Sequence, residues 1–313
     1  MPKIKNKYPL IIIGAGPAGL TASIYASRYK IDNLIITEAI GGMVFKTHKI
    51  CNFPTEQEIL GSELVEKMSK HTESLGADFI INTVINIQKE KQIFKITTRD
   101  KKIFFADMLL IAIGTAHCKL DLPNEDKFIG RGVSYCATCD AMFFKNKIVA
   151  VLGGSDNANT TALYLAEIAD KVYQIYKKDK LDGETALIDQ IIKNKKIKII
   201  YNTNIIGLDG NKKLEKIILD TPYKRTQEIK VDGLFVEIGS VPQKILIKDN
   251  NLFLETNDSG YIKVNSDQST NKEGVWAAGD ITTASNNFHQ IITACSEGAI
   301  AAESIFKFLT HSS

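Results

Sequence analysis

The run Leu10-Ile-Ile-Ile-Gly-Ala-Gly-Pro-Ala-Gly19 leaves the chain few folds to adopt. Its apolar, mostly β-branched start reads as a buried strand, its glycines as a tight turn, and the apolar spacing that follows as a helix. The same pattern returns 139 positions on, where Ile148-Val-Ala-Val-Leu-Gly-Gly-Ser-Asp-Asn-Ala158 runs into Asn159-Thr-Thr-Ala-Leu-Tyr-Leu165. A second strand follows each helix, at residues 34–37 and 172–176. Strand, turn, helix and strand make the βαβ unit of a doubly wound parallel sheet, so the expected class is α/β. A further echo, Leu109-Leu-Ile-Ala-Ile-Gly114 with Leu234-Phe-Val-Glu-Ile-Gly239, makes this two nucleotide-binding domains of common architecture.

Composition closes off other classes. At roughly 150 residues per domain, 313 residues make about two domains. A net charge of +3 with 44% apolar residues is not the signature of a disordered chain. The longest apolar runs, at 108–113 and 148–152, fall far short of the roughly 18 residues of a membrane helix, and 10–13 is too short for a signal-peptide core. The 39 basic residues include only four arginines, and the lysines are scattered, which argues against a nucleic-acid surface. A soluble, cytoplasmic protein without membrane or nucleic-acid partners is the expectation.

Gly14-x-Gly16-x-x-Gly19 has the context that gives the motif meaning. Gly14 allows the turn, Gly16 lets backbone approach a pyrophosphate, and Gly19 lets helix and strand pack. The helix N-terminus, which opens at Pro17, offers the free N–H groups of Ala18 and Gly19 to phosphate. Glu38, 19 residues past Gly19, falls where a carboxylate accepts from a ribose diol. The second turn, Gly153-Gly154-Ser155-Asp156-Asn157-Ala158, is a weaker copy, because Ser155 puts a side chain where Gly16 has none. In the same register Lys177 stands at the position of Glu38. Lys177 and Lys178 read either as a 2′-phosphate site or as a solvated lysine run.

Five cysteines in a chain without a secretion signal do not form a disulfide framework. Cys51, Cys118 and Cys295 are isolated and read as small buried hydrophobes. Cys136-Ala-Thr-Cys139-Asp140 is different. Two thiols at this spacing can close and reopen a disulfide, and the adjacent Asp140 can carry the proton a leaving thiolate requires. The competing reading is half a zinc site, but no second Cys-x-x-Cys or histidine pair completes it, and the five histidines are dispersed.

Accessory-sheet strands are expected at 79–88, 94–98 and 102–105 in the first domain. In the second they are expected at 197–201, 216–219 and 228–230. The end of the chain reads as a strand at 276–280, a loop, and a long helix over 290–309.

The order Gly-Ala-Gly-Pro-Ala-Gly, Gly41-Gly42-Met43, Asn52-Phe53-Pro54, Cys136-Ala-Thr-Cys-Asp140, Gly153-Gly154 and Ala277-Ala-Gly-Asp280 resembles the low-molecular-weight thioredoxin reductases over essentially the whole chain. The resemblance implies two Rossmann-like domains of the class II pyridine nucleotide-disulfide oxidoreductase type, the second inserted in the first. An FAD domain would span 1–116 and 247–313, and a nicotinamide domain carrying the disulfide would span 117–246. It implies a homodimer whose domains swivel, so that the disulfide meets flavin and protein substrate in turn. Cys139 would face the flavin, Cys136 would attack the disulfide of thioredoxin or a similar protein, and Asp140 would serve as acid–base. FAD would be held by the first glycine turn, Glu38, Gly41, Gly42, Met43, Asn52, Ala112 and Gly114. Gly279 and Asp280 would add the ribityl or pyrophosphate contact. His289-Gln290-Ile291 would stand beside the isoalloxazine, with a titratable group where the family has Arg or Lys.

The chain departs from the family at the nicotinamide site. The family's His-Arg-Arg, followed by Arg, is here Tyr176-Lys177-Lys178-Asp179-Lys180-Leu181-Asp182. Lysine binds phosphate without arginine's bidentate fork, and Asp182 repels it. The expected activity is therefore FAD-dependent reduction of thioredoxin, with NADPH as the default donor and NADH, reduced ferredoxin or a reduced deazaflavin as alternatives. A flavin-dependent dithiol oxidase using oxygen is the competing enzyme class, and a flavin-bearing redox sensor the non-catalytic one.

Overall fold

In the computed structural model, residues 4–243 and 252–311 are described. They form two compact units: residues up to Phe45 with Ile50–Ala116 and the segment from Val241 onward, and Lys46–Lys49 with His117–Ser240. The domain boundary expected at 246/247 lies outside the described residues.

In the first unit the strand Lys7–Ala15 is central, flanked in parallel by Asn33–Ile40 and by Ile103–Ile111. Its side chains alternate between two buried faces. Ile11 and Ile13 join one core with Leu109 and Ile111, while Leu10 and Ile12 join another with Met108 and Leu110. Burial on both sides is what a parallel sheet demands, and each such side chain contributes roughly 1.5–3 kcal/mol. The helix Pro17–Arg28 opens on a proline at its first position, where the missing N–H costs no hydrogen bond. Its small face, Ala18, Ala22 and Ala26, packs with Ala301, Ala302 and Ile305 of the long C-terminal helix Ile291–His311. Val275–Ala277 adds in parallel to Ile103–Ile111 and leads toward that helix.

The second unit repeats this plan. Its parallel sheet has the order Ile197–Ile200, Lys171–Ile175, Ile148–Leu152, Gly233–Val236, Val133–Ser134. Val149, Val151 and Phe235 face the helix Asp156–Ile168, and Ala150, Leu152 and Leu234 face a three-stranded antiparallel sheet. That sheet is Ile205–Asp209, Lys216–Tyr223 and Thr226–Lys230.

Three expectations about strands are corrected. The strand expected over 79–88 is two, Asp78–Ile81 and Val84–Glu90. The first extends the parallel sheet beside Asn33–Ile40, and only the second belongs to the antiparallel part. The first strand ends just after the Asn82 N–H donates to the Thr37 carbonyl at 2.7 Å, the last bond of its parallel ladder. Residues 102–105 are not a separate strand: Ile103–Ile111 runs continuously, antiparallel to Ile93–Thr98 and parallel to Lys7–Ala15. Likewise Ile197–Ile200 is a parallel strand of the main sheet, and Ile205–Asp209, which was not expected, takes the accessory place. Among the described residues no helix is long and apolar enough to cross a membrane.

Candidate active site

At the carboxyl end of the central strand, Gly14 has φ +107°, and a Cβ there would lie 2.3 Å from the Ala112 carbonyl oxygen. Only glycine lets the two strands end this close. Around the Cβ position of Gly16, by contrast, nothing lies within 4 Å: the turn opens onto space at the first turn of the Pro17–Arg28 helix. Two distant segments close around it. The Gly41 N–H donates to the Ala15 carbonyl at 2.7 Å, and a Cβ on Gly42 would lie 3.7 Å from the Gly16 Cα. Gly279 approaches Ala18, where a Cβ would come within 2.9 Å of the alanine's own.

The loop after Gly279 is fixed by the buried Glu297. Its carboxylate accepts from the Gly279 N–H at 2.8 Å, from Thr282 Oγ1 at 3.0 Å and from Ser285 Oγ at 2.6 Å. Beside it, burial pushes the half-buried Asp280 carboxyl up, and Glu297 adds to this while His289 opposes it. His289 Nε2 is buried with no hydrogen-bond partner among the described residues. Asn52, 238 residues away in sequence, donates to Gln290 Oε1 at 3.0 Å. Glu38 is exposed and accepts from Thr83 Oγ1 at 2.7 Å and from Arg99 at 3.4 Å. Met43 lies in the short helix Gly42–Phe45, Gly114 just past the strand Ile103–Ile111, and Ile291 at the start of the C-terminal helix. An open glycine turn, a helix N-terminus and an orphaned buried histidine nitrogen on one end of the sheet fit a bound FAD.

In the second unit Cys136 and Cys139 form a disulfide, with Cα atoms 5.3 Å apart. Cys136 caps the one-turn helix Ala137–Asp140, and the Cys139 N–H points at Cys136 Sγ, 3.3 Å away. Cys139 is exposed and Cys136 half-buried. Ser134, at the end of the strand Val133–Ser134, holds the motif. It accepts from the Cys136 N–H at 3.1 Å and donates to Asp140 Oδ2 at 2.7 Å. The three other cysteines are free, and Cys51 is exposed rather than buried as expected, because it lies in an open loop stretch before Asn52.

The second glycine turn copies the first in backbone. Gly153 has φ +142°, and a Cβ would meet the Glu237 carbonyl oxygen at 2.2 Å. Ser155 has φ −86° and ψ 176°, close to the −76° and −177° of Gly16, and its side chain is exposed. Gly154 is glycine for a reason of its own: the Tyr176 ring lies across it, within 2.4 Å of where a Cβ would stand. Tyr176 OH donates to Asp182 Oδ2, and Lys178 Nζ sits 2.5 Å from that same oxygen. These two donors hold the Asp182 carboxyl below the usual range. The loop is tied down by the Asp182 N–H to the Gly154 carbonyl at 2.7 Å and by Asn159 Nδ2 to the Asp182 carbonyl at 2.9 Å. Asp156 Oδ1 accepts from the Glu184 N–H at 2.6 Å, while Asn157 and Lys177 are exposed. Half-buried Glu237, at the position of Ala112 in the first unit, accepts from Thr161 Oγ1 at 3.0 Å, and burial pushes its carboxyl up to about 7. The backbone here fits a dinucleotide; the side chains do not fit its 2′-phosphate, since Lys178 is engaged by an acid.

Ser134, Thr161, Glu237 and Glu297 are absent from the sequence-based set. Glu237 alone left a signal, as the one charged residue in the apolar echo 234–239. Among the described residues no group of three His, Cys, Asp or Glu side chains is arranged to hold a metal ion.

The sequence matches the family described as "Pyridine nucleotide-disulphide oxidoreductase" over residues 8–298. The thioredoxin reductase of Bacillus subtilis is 37% identical over 301 residues, which are 95% of this chain and 93% of that protein. That of Treponema pallidum is 37% identical over 309 residues, 98% of each chain. The crystal structure of Lactococcus lactis thioredoxin reductase superposes with a TM-score of 0.91 at 32% identity, covering 97% of this chain and 99% of that one. These relatives carry the reductase name, and the oxidase alternative gains no support from them. The chain belongs to the pyridine nucleotide-disulphide oxidoreductases and, among them, to the low-molecular-weight thioredoxin reductases.

Proposed function

We propose that this protein is an FAD-dependent thioredoxin-disulfide reductase. The observation that carries the reading is the Cys136–Cys139 disulfide, tied through Ser134 to Asp140, in a chain whose other unit ends its sheet in an open glycine turn. FAD, when bound, supplies the two-electron carrier between a nicotinamide dinucleotide and the disulfide. The first glycine turn, with Glu38, Gly41, Gly42, Met43, Asn52, Ala112, Gly114, Gly279, Asp280 and the 289–291 segment, would hold it. The unit carrying Gly153, Gly154, Ser155, Lys177 and Lys178 would take the dinucleotide. These assignments follow the domains 1–116 with 247–313, and 117–246.

Two electrons and two protons open the Cys136–Cys139 disulfide to a dithiol, and Asp140 takes the Cys136 proton as that sulfur becomes a thiolate. The Cys136 thiolate attacks the disulfide of thioredoxin or a thioredoxin-like protein, forming a mixed disulfide and releasing one partner thiolate, to which Asp140 delivers a proton. Cys139, giving up its proton, then attacks the Cys136 sulfur of the mixed disulfide; the second partner sulfur leaves, takes up that proton as a thiol, and the Cys136–Cys139 disulfide is restored. We place the reaction in the cytoplasm, where thiols are kept reduced, and assign the protein to homodimers. The test uses FAD-loaded protein reduced by light and mixed with oxidised thioredoxin. Thioredoxin dithiol is expected to appear, and neither Cys136→Ser nor Cys139→Ser should turn over. Undiminished transfer in those variants would sink the reading.

A further inference from the structure

Asp182 follows the lysine pair in sequence, and the fold brings its carboxylate back against Lys178 and the second glycine turn. The strand Lys171–Ile175 ends beside the second glycine turn, as Asn33–Ile40 ends beside the first. In a dinucleotide-binding βαβ unit, the residues past the end of this second strand read the adenosine ribose. An acid there accepts from a 2′-hydroxyl, and a free cation accommodates a 2′-phosphate. In the first unit the acid is Glu38, on the strand itself. In the second, the strand is followed by Tyr176-Lys177-Lys178, and the chain then turns back so that Asp182 binds the turn through backbone, N–H to the Gly154 carbonyl at 2.7 Å.

The carboxylate is held from two sides. Tyr176, whose ring covers Gly154, donates to Oδ2, and Lys178 reaches the same oxygen at 2.5 Å. Oδ1 accepts from no described residue. The arrangement leaves Oδ1 as a spare acceptor beside the glycine turn and holds Lys178, one of the two strand-end lysines, on the acid. A 2′-phosphate here would have to displace Asp182 from Lys178 while standing beside its charge. Swinging the acid away is resisted by its backbone bond to Gly154 and by Asn159 on its carbonyl.

We infer that the second dinucleotide site selects the form with a free 2′-hydroxyl, NADH over NADPH, with Asp182 as the residue that sets the preference. This rests on the reading that the second unit takes a nicotinamide dinucleotide. The test is calorimetric titration of FAD-loaded protein with NAD+ and NADP+, oxidised forms that bind without reducing the flavin. NAD+ is expected to bind about tenfold or more tighter than NADP+, the scale of one good charged contact. Asp182→Arg should reverse the order. Asp182→Asn, which keeps the shape and a partner for Tyr176, should bring the two affinities to within about threefold, because the charge and not the shape discriminates. Retained flavin absorbance identifies folded variants. NADP+ binding as tightly as NAD+, a ratio unmoved by both substitutions, or no binding of either dinucleotide would each overturn the inference. The reductase reading fails separately, by loss of transfer from light-reduced protein, which needs no dinucleotide.

Discussion

Ser134 Oγ donates to Asp140 Oδ2 at 2.7 Å while accepting from the backbone N–H of Cys136, 3.1 Å away. One hydroxyl thus sets Asp140, the proposed proton carrier, and Cys136, the proposed attacking cysteine, in a common frame. Asp140→Asn is expected to slow dithiol transfer to thioredoxin by about 10²–10⁴-fold, the usual worth of a positioned proton carrier. Ser134→Ala, which leaves the carboxylate but frees it to turn, should lose less. Single-turnover transfer from light-reduced protein measures both, and equal losses would mean that Ser134 does more than position.

Cys139→Ser leaves the half-buried Cys136 as the thiol able to attack, with no neighbour to resolve the product. Mixed with an oxidised thioredoxin, this variant should accumulate a covalent one-to-one complex through Cys136, seen by mass spectrometry and reversed by dithiothreitol. Accumulation in Cys136→Ser instead would exchange the two roles.

Glu237 gives stability a pH dependence. Its carboxyl is raised from 4.5 to about 7 by burial, so the folded state holds its proton where the unfolded chain has released it. The contribution is complete below about 4.5 and is lost as pH rises through about 7. The shift corresponds to about 3 kcal/mol of lost stability. Glu237→Gln should flatten this slope and be the more stable protein at pH 8. Urea unfolding at pH 5 and pH 8 compares them.

Gly14→Ala and Gly153→Ala make matched probes of the two turns. Each adds a Cβ at positive φ, 2.3 Å from the Ala112 oxygen and 2.2 Å from the Glu237 oxygen respectively. Each should cost about 1–3 kcal/mol in backbone strain. Gly14→Ala should also purify with less flavin per chain, whereas Gly153→Ala should keep its flavin. Flavin-to-protein absorbance ratios separate the two.

Cys51 is exposed, while burial raises the thiol of half-buried Cys295. In the oxidised protein iodoacetamide should modify Cys51 about tenfold or more faster than Cys295, since thiolate fraction and access set the rate. Peptide mapping at partial modification reads the order directly.

The backbone of both glycine turns was legible in the sequence because it rests on local rules. β-branched runs make strands, glycine makes the bend, and the helix must start at once. The redox pair was equally legible, since two thiols three residues apart meet without help from the rest of the fold. Strand membership was harder: a period of two shows that residues 79–88 and 102–105 are extended, but not which neighbour they pair with. Ile103–Ile111 pairs antiparallel on one side and parallel on the other, and only its partners decide that.

The chemistry of the sites divides in the same way. Residue type and spacing determined the open glycine turn at 14–19 and the closed disulfide at 136–139, the two features on which the proposed function rests. Tertiary structure decided what each polar group faces: Ser134 on Asp140, Glu297 beneath the loop of Asp280, Glu237 on Thr161, and Asp182 between Tyr176 and Lys178. In sequence Asp182 is one charge in a lysine-rich loop. Folded, its backbone is bonded to the glycine turn, and electrostatics acts over those ångströms and not over residue numbers.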